Sequence, residues 1–163
     1  MPFADHAAKI IKIEGGLVDN PKDPGGLTKY GISHRAHPEL TRQQIIDLTP
    51  EDAIKIYKET YWAGIKGDLI EKYDDRLALI MLDMSVHSYW TASVKTLQAV
   101  LFNLGRNAVK IDGIIGPITL ASLKRCDADL VCRKFLAKRM IFLSALTIWP
   151  DNKNGWIDRL FSL

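Results

Sequence analysis

The residue that invites chemistry first is Glu14. Phe3, Ala7, Ile10 and Glu14 recur at i, i+4, i+7 and i+11, so the carboxyl extends the apolar stripe of an amphipathic helix. A carboxyl on that face loses solvation of its charged form, and the helix C-terminus acts in the same direction. Both effects favour a protonated Glu14 near neutral pH, which is what a proton donor requires. Gly15-Gly16 then ends the helix and opens a segment rich in Gly, Pro, Asp and Asn up to Ser33. Asp23 and Thr28 lie in that segment, which is able to fold back over the helix end. An acid on one side of a bond and a water-activating or charge-stabilising group on the other is the arrangement that glycoside cleavage needs. Glu14 with Asp23 or Thr28 could supply it. Asp23 before Pro24 also fits a turn, and the Thr28 hydroxyl could instead satisfy loop backbone.

The elements that position these groups read as helices. Thr41 with Gln44 forms a capping box, and Thr49 with Pro50 and Asp52 marks a second helix start. Ile54, Tyr57 and Tyr61 share a face that Trp62 and Gly64 close. Leu77 to Val86 is apolar nearly all round and predicts a central buried helix. Val94, Leu97, Leu101 and Leu104 keep helical spacing up to Gly105. A loop through Asp112-Gly113 leads to a short helix from Pro117, a long one follows over about 129–148, and Asn154-Gly155-Trp156 reads as a turn into a final short helix. No run alternates cleanly as a strand. The fold class expected is mainly α, a helical bundle around a central buried helix with a short hairpin or Gly-rich loop after the first helix.

Composition bounds the rest. With 163 residues, 47% hydrophobic and 25% charged, the chain has enough apolar surface for a packed core. A net charge of +3 suits encounter with an anionic polymer. The basic residues are scattered without interleaved aromatics, so no nucleic-acid partner is expected. The longest apolar run, Met140 to Trp149, is too short to span a bilayer, and no stable membrane insertion is expected. The N-terminus shows no secretory signal pattern, so synthesis in the cytoplasm is expected, with a helper such as a holin or a secretion route for any target outside it. Cys126 and Cys132 read as reduced thiols. His6, His34, His37 and His87 form no ligand cluster by spacing, and neither a metal nor another cofactor is expected.

Glu14-Gly15-Gly16 followed by Asp23-Pro24-Gly25-Gly26-Leu27-Thr28-Lys29-Tyr30-Gly31-Ile32-Ser33 resembles the signature of glycoside hydrolase family 108, whose members are phage endolysins and bacterial muramidases, some called secretion activators. The resemblance extends through Tyr57 to Tyr61-Trp62. It continues in Leu97-Gln98, in Asp112-Gly113-Ile114-Ile115-Gly116-Pro117 with Thr119, and in Asn154-Gly155-Trp156 with Arg159, which resemble a C-terminal peptidoglycan-binding region. It implies a lysozyme-like fold and bacteriolytic hydrolysis of the β-1,4 bond between N-acetylmuramic acid and N-acetylglucosamine, with Glu14 as the essential acid. The order Glu14, Asp23, Thr28 also resembles the triad of phage-type lysozymes, with one residue fewer between the last two. His87 stands where the family usually has Asn.

The expected layout is a catalytic region over 1–92 and a peptidoglycan-binding helical region over 93–163, packed as one monomeric unit. Tyr30, Trp62, His87 and Gln98 are the expected sugar contacts, since glycan clefts combine aromatic faces with polar edges; Trp90 is a further aromatic candidate. Two other functions fit the same residues: a lytic transglycosylase using one acid, and a non-catalytic wall-binding or secretion-assisting module.

Overall fold

A computed structural model describes residues 2–19 and 26–163. Helix α1 (Phe3–Glu14) buries His6, Ala7, Ile10 and Ile11 and ends where Gly15 takes φ 75°. Three short antiparallel strands follow: β1 (Leu17–Asp19), β2 (Leu27–Lys29) and β3 (Ile32–Ser33), in the order β1-β2-β3. Lys29 faces Ile32, so Tyr30 and Gly31 alone make the β2–β3 turn. Both have positive φ (51° and 72°), as a type I′ turn requires. The sequence reading allowed for one hairpin here; the sheet has a third strand, too short to show alternation.

The helical remainder packs around α5 (Asp75–Ser88), whose residues Leu77 to Val86 are all buried, the polar Asp83 and Ser85 included, as the nearly all-apolar run predicts. Asp74 caps it by accepting from the Leu77 amide at 2.7 Å. Helix α6 (Trp90–Asn103) makes its most extensive packing with α5 and α8 (Ala128–Ser144). The capping boxes at Thr41 and Thr49 start α2 (Arg42–Asp47) and α3 (Pro50–Ile56) as expected. One apolar core runs from Ala7 in α1 to Phe135 in α8.

Three features depart from expectation. Beyond Ile56 the helix widens into a π-helical segment, Tyr57–Trp62, which keeps Tyr57, Tyr61 and Trp62 all buried. A short helix α4 (Gly67–Glu71) follows the left-handed Lys66 (φ 49°) and precedes α5. Asn154-Gly155-Trp156 is not a turn: it lies inside α9 (Trp149–Ser162), which begins with Pro150 in its first turn. Helical spacing there brings Trp156, Arg159 and Leu160 to the inner side, and that packing outweighs the low propensity of Asn and Gly. Helix α7 (Pro117–Leu123) completes the set. Both cysteines are free thiols, and among the described residues no helix is long and apolar enough to cross a membrane.

Gly67 sits against the face of Trp62: a Cβ there would come within 2.1 Å of the indole ring. The ring is 1% exposed and donates from Nε1 to Asp68 at 2.7 Å, so it has little room to yield. Gly67→Ala is expected to lower stability by about 1–3 kcal/mol in urea unfolding.

Candidate active site

Helix α1 ends at a cleft of about 790 Å³. Glu14 lies at its floor with its side chain 17% exposed. Thr28 and Ser33 of the small sheet line one wall, Val86, His87, Ser88 and Tyr89 another, and Phe142, Leu146 and Ile148 from the α8–α9 corner a third. Among the described lining residues Glu14 is the one carboxylate; Arg35 is the one cation. Gly31 presses on Glu14 so closely that a Cβ would meet Val86 at 2.7 Å and the Glu14 Cγ at 3.0 Å. The I′ turn therefore needs glycine twice over, for its φ and for this contact. The Tyr57 hydroxyl holds the turn by donating to the Tyr30 carbonyl at 2.8 Å.

Beneath the cleft floor four charges interlock. The Arg159 guanidinium donates to Glu14 Oε1 at 2.5 Å and to both oxygens of Asp83 at 2.7–3.1 Å. Arg139 reaches Asp83 Oδ2 from the other side at 2.5 Å. Asp83 and Arg139 are 0% and 1% exposed. Burial raises the Asp83 pKa, but the two guanidiniums outweigh it and hold the carboxyl below its ordinary range. Burial also disfavours the charged Arg159, and the carboxylates of Asp83 and Glu14 reverse that, raising its pKa. For Arg139 burial wins and its pKa falls; its Nε and Nη1 have no partner among the described residues. The sequence reading put Glu14 on an apolar face. The structure adds a guanidinium directly against it.

The predicted residues separate into two groups. Glu14, Thr28 and His87 meet in the cleft. Thr28 Oγ1 donates to the Gly26 carbonyl at 3.2 Å, and Asp23 lies outside the described residues. Tyr30 is not among the lining residues; its backbone shapes the turn while its ring packs on the core. Trp62 is in the core between Phe3 and His6, with ring centroids at 5.1 and 5.9 Å. Trp90 covers Gly64, where a Cβ would come within 2.4 Å of its indole. Gln98 faces the second loop: its amide donates to Asp112 Oδ1 and the Ile114 carbonyl and accepts from the Gly113 amide, at 2.8–3.0 Å. Its polar atoms are thus engaged away from the cleft. Helical spacing marks such residues as inward-facing without distinguishing core from cleft.

Two aromatics of the cleft are not among the sugar contacts expected from sequence. Tyr61 projects from the π segment and pairs its hydroxyl with His37 Nε2 at 2.8 Å, while His37 Nδ1 lies 2.9 Å from Glu39. Burial, then Tyr89 and Glu14, push the Tyr61 pKa up, so the phenol keeps its proton. Tyr89 joins α5 to α6 with φ 71°, a conformation costly for a non-glycine residue, and is 43% exposed. A large aromatic at a helix junction without a helical partner was the available signal.

A family model described as glycosyl hydrolase 108 matches residues 7–88, from α1 to the end of α5. The chain belongs to the glycosyl hydrolase 108 family. Among solved structures, that of Brucella abortus SagA is similar at 31% identity and a TM-score of 0.85, over 98% of this chain and 90% of that one. No curated protein matches the sequence. Within this glycosyl hydrolase 108 chain the matched segment carries Glu14, Thr28, Asp83 and His87, while Arg139 and Arg159 come from beyond it.

His87 packs edge-on to Trp156, with ring centroids 5.3 Å apart. Burial, then Arg159 and Arg139, lower its pKa from 6.5 to about 4. Between those values the unfolded chain binds a proton that the folded chain refuses, so stability should fall as pH drops from 6.5 towards 4. The full shift corresponds to roughly 3 kcal/mol. Melting temperature against pH should be flatter over this window in His87→Asn. Asp83→Asn leaves two buried guanidiniums with one carboxylate, and is expected to cost about 3–5 kcal/mol in denaturant unfolding.

Proposed function

We propose that this glycoside hydrolase is an N-acetylmuramidase that cuts the β-1,4 bond between N-acetylmuramic acid and N-acetylglucosamine in peptidoglycan, with Glu14 as general acid. The observation that carries the reading is the placement of Glu14: the one carboxylate among the described cleft-lining residues, held by Arg159 at the floor of the cleft. Proton transfer from Glu14 to the glycosidic oxygen creates a carboxylate against a guanidinium already in place. Arg159 stabilises that carboxylate without reorganisation. Tyr89 and the His87 ring supply aromatic surface for sugar rings, and Thr28 and Ser33 supply hydroxyls on the facing wall. Water activation falls to Asp23 or Thr28. Residues 93–163 serve as the wall-binding half and contribute Phe142, Leu146 and Ile148 to the same cleft.

Glu14→Gln keeps the shape and removes the acid. It is expected to slow clearance of purified peptidoglycan by about 100- to 10,000-fold with unchanged thermal stability or a small loss. Undiminished clearance would sink the assignment. A lytic transglycosylase would use the same acid, so the products matter: mass spectrometry should find reducing ends, and 1,6-anhydro ends would refute hydrolysis. Comparing Asp23→Asn with Thr28→Ala identifies the water-activating group as the one whose loss nearly matches Glu14→Gln.

A further inference from the structure

At the opposite end of α1 from Glu14, about 12 Å along the helix axis, His6 faces two acids brought from elsewhere in the chain. Its Nε2 lies 3.3 Å from Glu71 Oε1, at the end of α4, and 3.2 Å from Asp75 Oδ1, at the start of α5. The imidazole is fully buried, whereas Glu71 and Asp75 are 28% and 44% exposed. Among the described residues neither ring nitrogen has an aligned hydrogen-bond partner, and Glu71 Oε1 is likewise buried without a donor. One imidazole N–H can serve only one of the two carboxylates, and Asp75 has a further partner besides His6. A cation would use the imidazole lone pair and an oxygen of each carboxylate at once, meeting the open Glu71 Oε1.

The distances suit one class of ion. Tetrahedral bonds of about 2.0–2.1 Å put neighbouring ligand atoms roughly 3.3–3.4 Å apart, close to the two separations seen here. All three donor atoms fall within 4.8 Å of one another. An imidazole with two carboxylates suits a first-row ion such as zinc, while Ca2+ and Mg2+ favour sets of oxygens. The exposed side leaves access for a water as fourth ligand. We propose that His6, Glu71 and Asp75 form a Zn2+ site that clamps the first turns of α1 to the α4–α5 junction. The site is separate from the cleft and does not depend on Glu14 chemistry.

The test uses the full chain, stripped with EDTA and dialysed, then titrated with ZnCl2 by calorimetry and followed by thermal unfolding. One Zn2+ per chain is expected, with a rise in Tm of roughly 5–10 °C at a hundredfold excess over Kd. The partly exposed carboxylates allow variants that keep the buried imidazole in place. Glu71→Gln and Asp75→Asn should each fold, bind Zn2+ at least about tenfold more weakly, and lose most of the Tm rise. The proposal is overturned if the wild-type chain shows neither stoichiometric binding nor a Tm shift. It is equally overturned if either variant binds Zn2+ as tightly as wild type, which would place the ion on other donors.

Discussion

Asp83 is the fixed point of this molecule. A fully buried carboxylate inside an apolar helix is costly unless cations reach it, and here two do, from α8 and α9. Those contacts dictate how the last two helices sit on the central one. Arg159 has donors left over after binding Asp83, and one of them meets Glu14. The position of Glu14 thus depends on a charge network whose anchor lies one layer below the cleft. Arg139 completes the balance, although part of its guanidinium has no partner among the described residues.

Around this network the small sheet and the π segment set the shape of the cleft. The Tyr30–Gly31 turn lays bare backbone against the Glu14 side chain, and the hydroxyl of Tyr57 holds the turn from below. Widening the helix at Tyr57–Trp62 lets Tyr57, Tyr61 and Trp62 all stay buried while serving three surroundings: the turn, the cleft and the N-terminal core. Such π segments occur often at functional sites.

Much of this was legible in the sequence because strong local signals agreed with the packing. The run Leu77–Val86, the two capping boxes and the stripe that ends in Glu14 each name an element and its face. The π widening has no residue code, and the strand at Ile32–Ser33 is too short for period-two alternation. Asn154-Gly155 carries turn chemistry that the docking of Trp156 and Arg159 overrides. Gln98 and Trp62 were recognisable as inward-facing, but only tertiary structure shows that one braces a loop and the other fills the core. The partners Asp83 and Arg159 are 76 residues apart, and Glu14 and Arg159 are 145 apart. Local pattern carries no information about pairings that distant.

The last separation bears on when the charge network comes into being. A ribosome delivers Glu14, its turn and the central helix long before residue 159 is made. Until α9 has been synthesised and docked, Asp83 has at most one of its two guanidiniums and Glu14 has none. The electrostatic setting of Glu14 is therefore completed by the last helix to be made, which brings the guanidinium that faces the cleft from below.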